Sequence, residues 1–596
     1  MDHYLMQLYE TGFTLLKELC DGMLRYQIGD MHAAGLDGAL LCPACSMVHG
    51  RCHSAVHPLL YMARKTGETA YARAAERLLF WSDHMACPDG GLINDTVCEW
   101  KGTTAFSAIA FTEALRDYAD LLSDAAVQKM RERVEGTLAY LYQGFNNHSG
   151  NINYLAGVAC ALEIGGRLLD NPDYREKGRA CAHEMLAYFT ENGLLYGEGE
   201  HQWESRSPKG CVAVDIGYNV EESLNLLTIY ALSANDETVL HKMLESARAH
   251  ANFLLPDGGW NNSFGTRMDK WTMWGSRTSD GCQAAYTMLS RRDPRLADAA
   301  RRNLLYMASC VHDGLLYGGR DLHRVGEPPC IHHTFTHAQG LTAMLEWIEK
   351  NGEPAQASAE ELYRTAYYPE LDTHLYHALE WHASVTGYDS GEKEMCHPSG
   401  GALSLLYHRD AGLLFTSSMS RYFRYEIMNT QRHLRDVDTP LTVRLQKGEG
   451  TLTHASILDK TAEIRQTVEN AYEVRGKIAD ENGAFADGIP VHFTAAYTFA
   501  PGALTRRFTH DSGDIDLYLP VISPSGEPAV LKDGVCIIRK PGAIVTIQAS
   551  QPLSLYAEGR IFNHVPGLEA VPLKVKDAAR QLIVTVKAER TEQENG

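Results

Sequence analysis

A helical hairpin recurs through residues 1 to about 370, and it limits what this chain can become. The segments TGETAYARAAERLLFW at 66–81, DNPDYREKGRACAHEML at 170–186, ANDETVLHKMLESARAH at 234–250 and RRDPRLADAARRNLLYM at 291–307 each run from a turn into an amphipathic helix. Each is followed by a turn of one kind: PDGGL at 88, ENGLL at 191, PDGGW at 256 and HDGLL at 312. Tens of residues separate these turns, which two helices and their loops require at about 1.5 Å rise per residue. Apolar residues at helical spacing predict helices over 71–85, 106–122, 125–142, 174–189, 239–254 and 296–310. Such hairpins either stack into an open binding solenoid or close into an (α/α) toroid. Long loops rich in Gly and aromatic residues on one side of every hairpin favour the toroid, where they line a central cleft.

Near residue 370 the texture changes. The stretch 367–398 is irregular and rich in His and Tyr, and reads as a crossing linker. Beyond it, short β-rich runs at 402–407, 413–418, 441–445, 452–457, 491–499, 516–521, 535–539, 543–548 and 581–587 are separated by turns such as KGEG, SPSGEP and KPG. Many short strands of this kind predict an antiparallel β-sandwich. The expected architecture is therefore multidomain: an (α/α) toroid over 1–370, then a sandwich domain over 371–596 that includes a linker at 371–398.

Composition removes several function classes. A net charge of −20 argues against nucleic acid or an anionic membrane surface as general partner. No run of about 18 apolar residues could span a bilayer. The 14 cysteines are scattered rather than framed, which suits reduced thiols. MDHYLMQLYETG shows no basic or apolar leader region, so the expected location is cytoplasmic, or periplasmic or secreted if an export signal has been removed. No GxSxG, P-loop or dinucleotide fingerprint stands in a fitting context.

The loop GFNNHSGNIN at 144–153 concentrates amides and a histidine between two helical segments. Asn and Gly favour turns over helix, so the loop reads as a helix entrance presenting Asn146, Asn147, His148 and Asn151. KGCVAVDIGYNVEESL at 209–224 places Tyr218 and Asn219 at the start of a further helix, with Glu221 and Glu222 favoured by its dipole. WTMWGSRTSDGC at 271–282 combines Trp271 and Trp274 with Arg277, which suits carbohydrate: indoles stack on sugar rings and a guanidinium forks onto carboxylate or sulfate. Trp100 with Lys101, and Trp203, extend that theme to other loops. In CIHHTFTH, His333 and His337 fall on one helix face, without the Glu of a zincin. In CPACSMVHGRCHSAVH at 42–57, a CxxC followed by His49, Cys52 and His53 resembles a zinc knot. The alternative is that His49 and Arg51 face the cleft from the first hairpin. His397, His408, Asp410 and His433 are a further candidate metal group in the β-rich part.

Together these features resemble the heparinase II/III-like polysaccharide lyases. The resemblance implies that Asn147 with His148 neutralises the substrate carboxylate and that Tyr218 is the proton donor or base. An HxHxD-like motif is expected early in the sandwich; HPSGGALSLLYHRD stands there instead, leaving His333 or His397 as second base. The implied reaction is β-elimination on a uronic-acid glycosaminoglycan of hyaluronan, chondroitin or heparan type, leaving a 4,5-unsaturated uronate. Amide and imidazole donors stabilise the enolate-like intermediate, usually the largest catalytic contribution. A tyrosine of ordinary pKa, about 10, needs cationic or hydrogen-bonding neighbours to act as base near neutrality. The chemistry needs no cofactor; a structural divalent ion, Zn or Mn, is a separate expectation, as is a homo-oligomer. The competing readings are a toroid glycoside hydrolase using carboxylates from Asp215, Glu198, Glu200 or Glu204, a sugar epimerase, and a carbohydrate-binding solenoid.

Overall fold

In this computed structural model, described over residues 7–29, 35–96, 99–145, 150–199, 202–355, 357–390, 397–420 and 439–591, the helices alternate between two concentric layers. They are α1 (Leu8–Tyr26), α2 (Val56–Thr66), α3 (Thr69–Trp81), α4 (Thr104–Tyr118), α5 (Asp124–Gly144), α6 (Ile152–Leu168), α7 (Pro172–Met185), α8 (Ile216–Tyr218), α9 (Leu224–Ala234), α10 (Glu237–Ala251), α11 (Gln283–Leu289), α12 (Arg295–Ala308) and α13 (Ile331–Asn351). A π-helical turn, Asn219–Ser223, joins α8 to α9.

Helices α2, α4, α6, α9, α11 and α13 contact one another in that order, and α13 returns to α2, which closes the ring. Each inner helix is backed by an outer one: α3 on α2, α5 on α4, α7 on α6, α10 on α9, α12 on α11 and α1 on α13. Burial follows this division. In α4 and α6 nearly every side chain is buried, whereas α3 buries Tyr71, Ala74, Ala75, Leu78 and Leu79 along one stripe. A helix apolar all round belongs inside; an amphipathic one faces water on its far side.

The recurring turns fasten neighbouring hairpins together. Ala86 bridges Leu92, Phe189 bridges Leu195 and Leu254 bridges Trp260 in three hairpins of one length, and Val311 pairs with Leu316 in a fourth that is one residue shorter. The equivalent glycine in each, Gly90, Gly193, Gly258 and Gly314, has positive φ. At Gly258 a Cβ would lie 2.1 Å from the Arg302 carbonyl oxygen on α12, so a side chain is barred by space as well as by conformation. The Gly314 turn packs on Glu18 and Gly22 of α1, which joins the last hairpin to the first. A fifth turn, at Gly38 after α1, packs on Arg77 of α3 and was not apparent from the repeat.

The sheet region begins earlier than the sequence suggests. The supposed linker contains the strands Thr373–Ala378 and Trp381–Thr386, which join Ala366–Tyr368, Ala402–His408 and Gly412–Thr416 in a five-stranded antiparallel meander. Its His and Tyr residues alternate as strand residues: Tyr376 stacks on Phe499 and His374 on Tyr367. An eight-stranded antiparallel sheet, with Gln581–Arg590 between Ala543–Ala549 and Ala503–His510, faces this meander and a third sheet built on Ile515–Ile522 and Leu568–Val575. The run 452–457 is not a strand; its end forms a short 3-10 turn, Ser456–Leu458. Ala402–His408 is buried on both faces, with Leu403 and Leu406 toward the eight-stranded sheet and Leu405 and Tyr407 toward the toroid.

Candidate active site

The inner helices begin at one end of the toroid, and most of the predicted site residues stand there. Arg51 lies just before α2, Tyr218 in α8, Arg277 before α11, and His332 and His333 in the first turn of α13. Helix N-termini carry unpaired N–H groups and partial positive charge, which suits an anionic substrate.

Tyr218 is the focus. Its hydroxyl donates to the Arg277 carbonyl (3.1 Å) and lies 2.6 Å from Thr278 Oγ1. The Arg267 guanidinium sits over its ring, 4.2 Å from the centroid. Arg51 donates to the Thr278 carbonyl (3.2 Å), pairs with Asp280, and reaches Glu222 at 3.7 Å. The Arg51 guanidinium also covers the Phe106 ring at 4.3 Å. Asp215 caps the turn by accepting from the Tyr218 amide (2.9 Å) and the Asn262 amide (3.1 Å). Glu198 accepts from the Asn153 N–H (2.9 Å) and pairs with Arg267 at 3.3 Å.

Burial dominates the electrostatics. Desolvation pushes Glu198 up to about 7, partly offset by Arg267, and Asp215 up to about 6. Glu222 and Asp280 are likewise raised by burial, with Arg51 opposing. Burial holds His332 and His333 well below the usual imidazole range, so both rings are neutral. Neither ring has a hydrogen-bond partner on either nitrogen among the described residues. A neutral imidazole can donate at one nitrogen and accept at the other.

Models of the ulvan lyase N-terminal and C-terminal domains match residues 16–363 and 365–589. A broad-specificity ulvan lyase of Formosa agariphila is 37% identical over 584 residues, covering 94% of this chain and 91% of that relative. This chain belongs to the ulvan lyase family. It is a polysaccharide lyase acting on uronic-acid polysaccharide by elimination. Two solved structures also align. Heparan sulfate lyase HepC from Pedobacter heparinus has TM-score 0.46 and 10% identity, with 97% of this chain and 83% of that one covered. The Streptomyces coelicolor A3 chondroitin AC lyase has TM-score 0.49 and 12% identity, with 98% and 79% covered.

Within this ulvan lyase family member, several expected site residues are committed elsewhere. The Asn219 amide donates to the Leu195 carbonyl (2.8 Å) and contacts His250 Nε2 (3.0 Å), because the π turn directs it to the recurring hairpin rather than the cleft. Trp203, Trp271 and Trp274 are fully buried, and their indole N–H groups donate to the carbonyls of Gly150, Trp260 and Tyr317. Their faces are packed, so they brace the loops instead of stacking on sugar. His337 contacts the His333 carbonyl at 2.9 Å and faces Glu221 at 3.5 Å. His49 faces Cys45 and Asp95, not the cleft. Lys101 pairs with Asp89 at 2.7 Å, while Trp100, 39% exposed, remains open to solvent with its edge on Tyr154.

Asn146, Asn147, His148, Glu200 and His433 lie outside the described residues. The β-rich metal group does not assemble among the described residues: His408 Nδ1 accepts from the backbone of Asp410 and Ala411, Asp410 approaches Arg590, and His397 packs on Tyr388. Arg267 and Asp280 carried no sequence signal, and Glu198 stood out only as a candidate carboxylate of the competing hydrolase reading. GTRMDK resembles any polar loop, and the partners of Asp280 lie up to 229 residues away.

Proposed function

We propose that the chain cleaves ulvan-type sulfated uronate polysaccharide, with Tyr218 as the group that exchanges a proton with the sugar. The observation that carries this is the Tyr218 hydroxyl, held by Thr278 and the Arg277 carbonyl with Arg267 on its ring and Arg51 one residue contact away. One cation on the phenol ring and a second reached through Thr278 suit a substrate bearing carboxylate and sulfate. The substrate class is supported by the broad-specificity ulvan lyase that the chain resembles along most of its length.

Neutral His333 takes the C5 proton of the uronate, the enolate-like intermediate forms, and the Tyr218 hydroxyl gives its proton to the oxygen of the departing 4-linked sugar; both groups then exchange protons with solvent to return to their starting states. His333, neutral and beside Arg277, is the second proton-transfer group in this reading, with His332 next to it. Asn147 and His148 hold the carboxylate. Preorganised donors aimed at developing charge supply the main stabilisation. Trp100 is the one proposed aromatic contact that keeps an exposed face.

Absorbance of the unsaturated uronate, followed with ulvan, chondroitin sulfate, hyaluronan and heparan sulfate, tests the proposal. Ulvan is expected to give the fastest rise. A rise confined to glycosaminoglycans would transfer the assignment to them. New reducing ends without the chromophore would replace elimination with hydrolysis at Glu198 and Asp215.

A further inference from the structure

The CxxC segment before α2 is not used by the reading above, yet its side chains converge. Cys42, Cys45 and His49 bring their ligand atoms within 4.8 Å of one another. The tight turn arises because the Ser46 N–H donates to the Cys42 carbonyl and the Cys42 N–H to the Met47 carbonyl, both at 2.8 Å. Ser46 takes positive φ, which folds the two thiols to one side. Four residues on, His49 directs Nε2 to Cys45 Sγ at 3.4 Å. A third sulfur, the fourth ligand, arrives from the last hairpin of the toroid: Cys330, immediately before α13, has its Sγ 3.9 Å from Cys42 Sγ.

We propose that Cys42, Cys45, His49 and Cys330 form a Cys3His site for Zn2+ that clips the first hairpin of the toroid to the last.

Two of the ligand separations match this donor set closely, one within the loop and one from the loop to Cys330. With zinc–sulfur bonds of about 2.3 Å and zinc–nitrogen bonds of about 2.0–2.1 Å, a tetrahedron sets sulfur–sulfur separations near 3.8 Å and sulfur–nitrogen separations near 3.5 Å. The observed 3.9 Å and 3.4 Å sit beside those values. Asp95, buried beneath the loop, faces the other ring nitrogen of His49 at 3.5 Å. A carboxylate on the far nitrogen fixes the tautomer that leaves Nε2 free to ligate, the usual outer-shell arrangement of a metal-bound histidine. On binding, the three thiols give up their protons to solvent and the metal keeps its oxidation state.

The position gives the clip a consequence. Residues 42 and 330 are 288 apart in sequence, so linking them removes much freedom from the open chain. The same two segments carry Arg51 and the His332–His333 pair, and the rings of His49 and His332 meet edge-on at 5.0 Å. The metal would therefore fix two walls of the cleft without touching substrate.

Metal analysis of the full chain, purified without chelator, is expected to find about one zinc per chain. After stripping, titration with Co2+ is expected to give an ultraviolet thiolate-to-cobalt band and the strong visible bands of a tetrahedral ion. Cys45→Ser and Cys330→Ser each lose the metal, Asp95→Asn weakens binding by roughly 10–100-fold, and Cys52→Ser leaves it intact. The wild-type cobalt titration stands even where a variant fails to fold. The proposal is overturned if wild type takes up neither ion, if peptide mapping finds Cys42 in a disulfide, or if Cys330→Ser binds metal as tightly as wild type.

Discussion

Tyr218 and Thr278 meet hydroxyl to hydroxyl at 2.6 Å, although one opens an inner helix and the other lies 60 residues on, in the loop before α11. That contact fixes the phenol in a pocket whose other walls are Arg267 and the Arg277 carbonyl. Tyr218→Phe keeps the ring and its cation contact and removes only the proton-transferring atom. Turnover should fall roughly 10²- to 10⁴-fold, the usual worth of a positioned acid or base, with a nearly unchanged melting temperature. Steady-state formation of unsaturated product gives the first number and thermal unfolding the second. Near wild-type turnover would remove Tyr218 from the chemistry.

Arg51 is the only cation drawn into contact with both Glu222 and Asp280 among the described residues. Removing one partner of a buried ion cluster leaves uncompensated charge, at a cost of roughly 3–5 kcal/mol. Arg51→Met should therefore lower the urea midpoint strongly, and adding Glu222→Gln with Asp280→Asn should restore much of it. Equal instability with and without the two extra substitutions would show that Arg51 acts through packing on Phe106 instead.

Glu198 is protonated more readily when folded, at about 7 against an ordinary 4.5, and Asp215 at about 6 against 3.8. Between each pair of values the folded state holds a proton that the unfolded state has lost. Stability from these groups is complete below the ordinary pKa and declines as pH rises through the folded one. The difference in melting temperature between wild type and Glu198→Gln should therefore change steadily between about pH 4.5 and pH 7, with wild type losing ground. A constant difference across that window would mean that Glu198 is ionised throughout, held so by Arg267.

Gly258→Ala should destabilise the toroid by more than the roughly 1–2 kcal/mol of a left-handed alanine, since its Cβ would lie 2.1 Å from the Arg302 carbonyl. Gly412→Ala, at φ +70 with nothing within 4 Å of the added carbon, isolates the backbone contribution alone. Comparable melting temperatures for the two variants would mean that the turn can move off α12.

Much of this architecture is legible in the chain, and the reason is solvent. Outer helices α3, α5, α7, α10 and α12 keep one face in water, so their apolar residues fall at helical spacing, and the turns between hairpins repeat their glycine. Inner helices such as α6 and α9 are apolar nearly all round and carry little period. Strands within 367–398 are hidden because rings such as His374, Tyr376 and Trp381, and polar residues such as Thr373 and Ser384, share their buried positions with few aliphatic residues. The lyase reading was likewise available from short motifs, and Tyr218, Arg51 and His333 do come to one end of the ring.

The sequence by itself determined the helical ring, the sheets that follow and the family, because periodicity and turn chemistry are local properties of consecutive residues. Tertiary structure alone decided which polar side chains serve the cleft. Three of the tryptophans expected to stack on sugar are sealed by packing, Asn219 is turned away by a π turn, and Arg267 is brought over Tyr218 by the packing of neighbouring hairpins. Direction and burial of a side chain are set by neighbours tens to hundreds of residues away, and no pattern of adjacent residues encodes them.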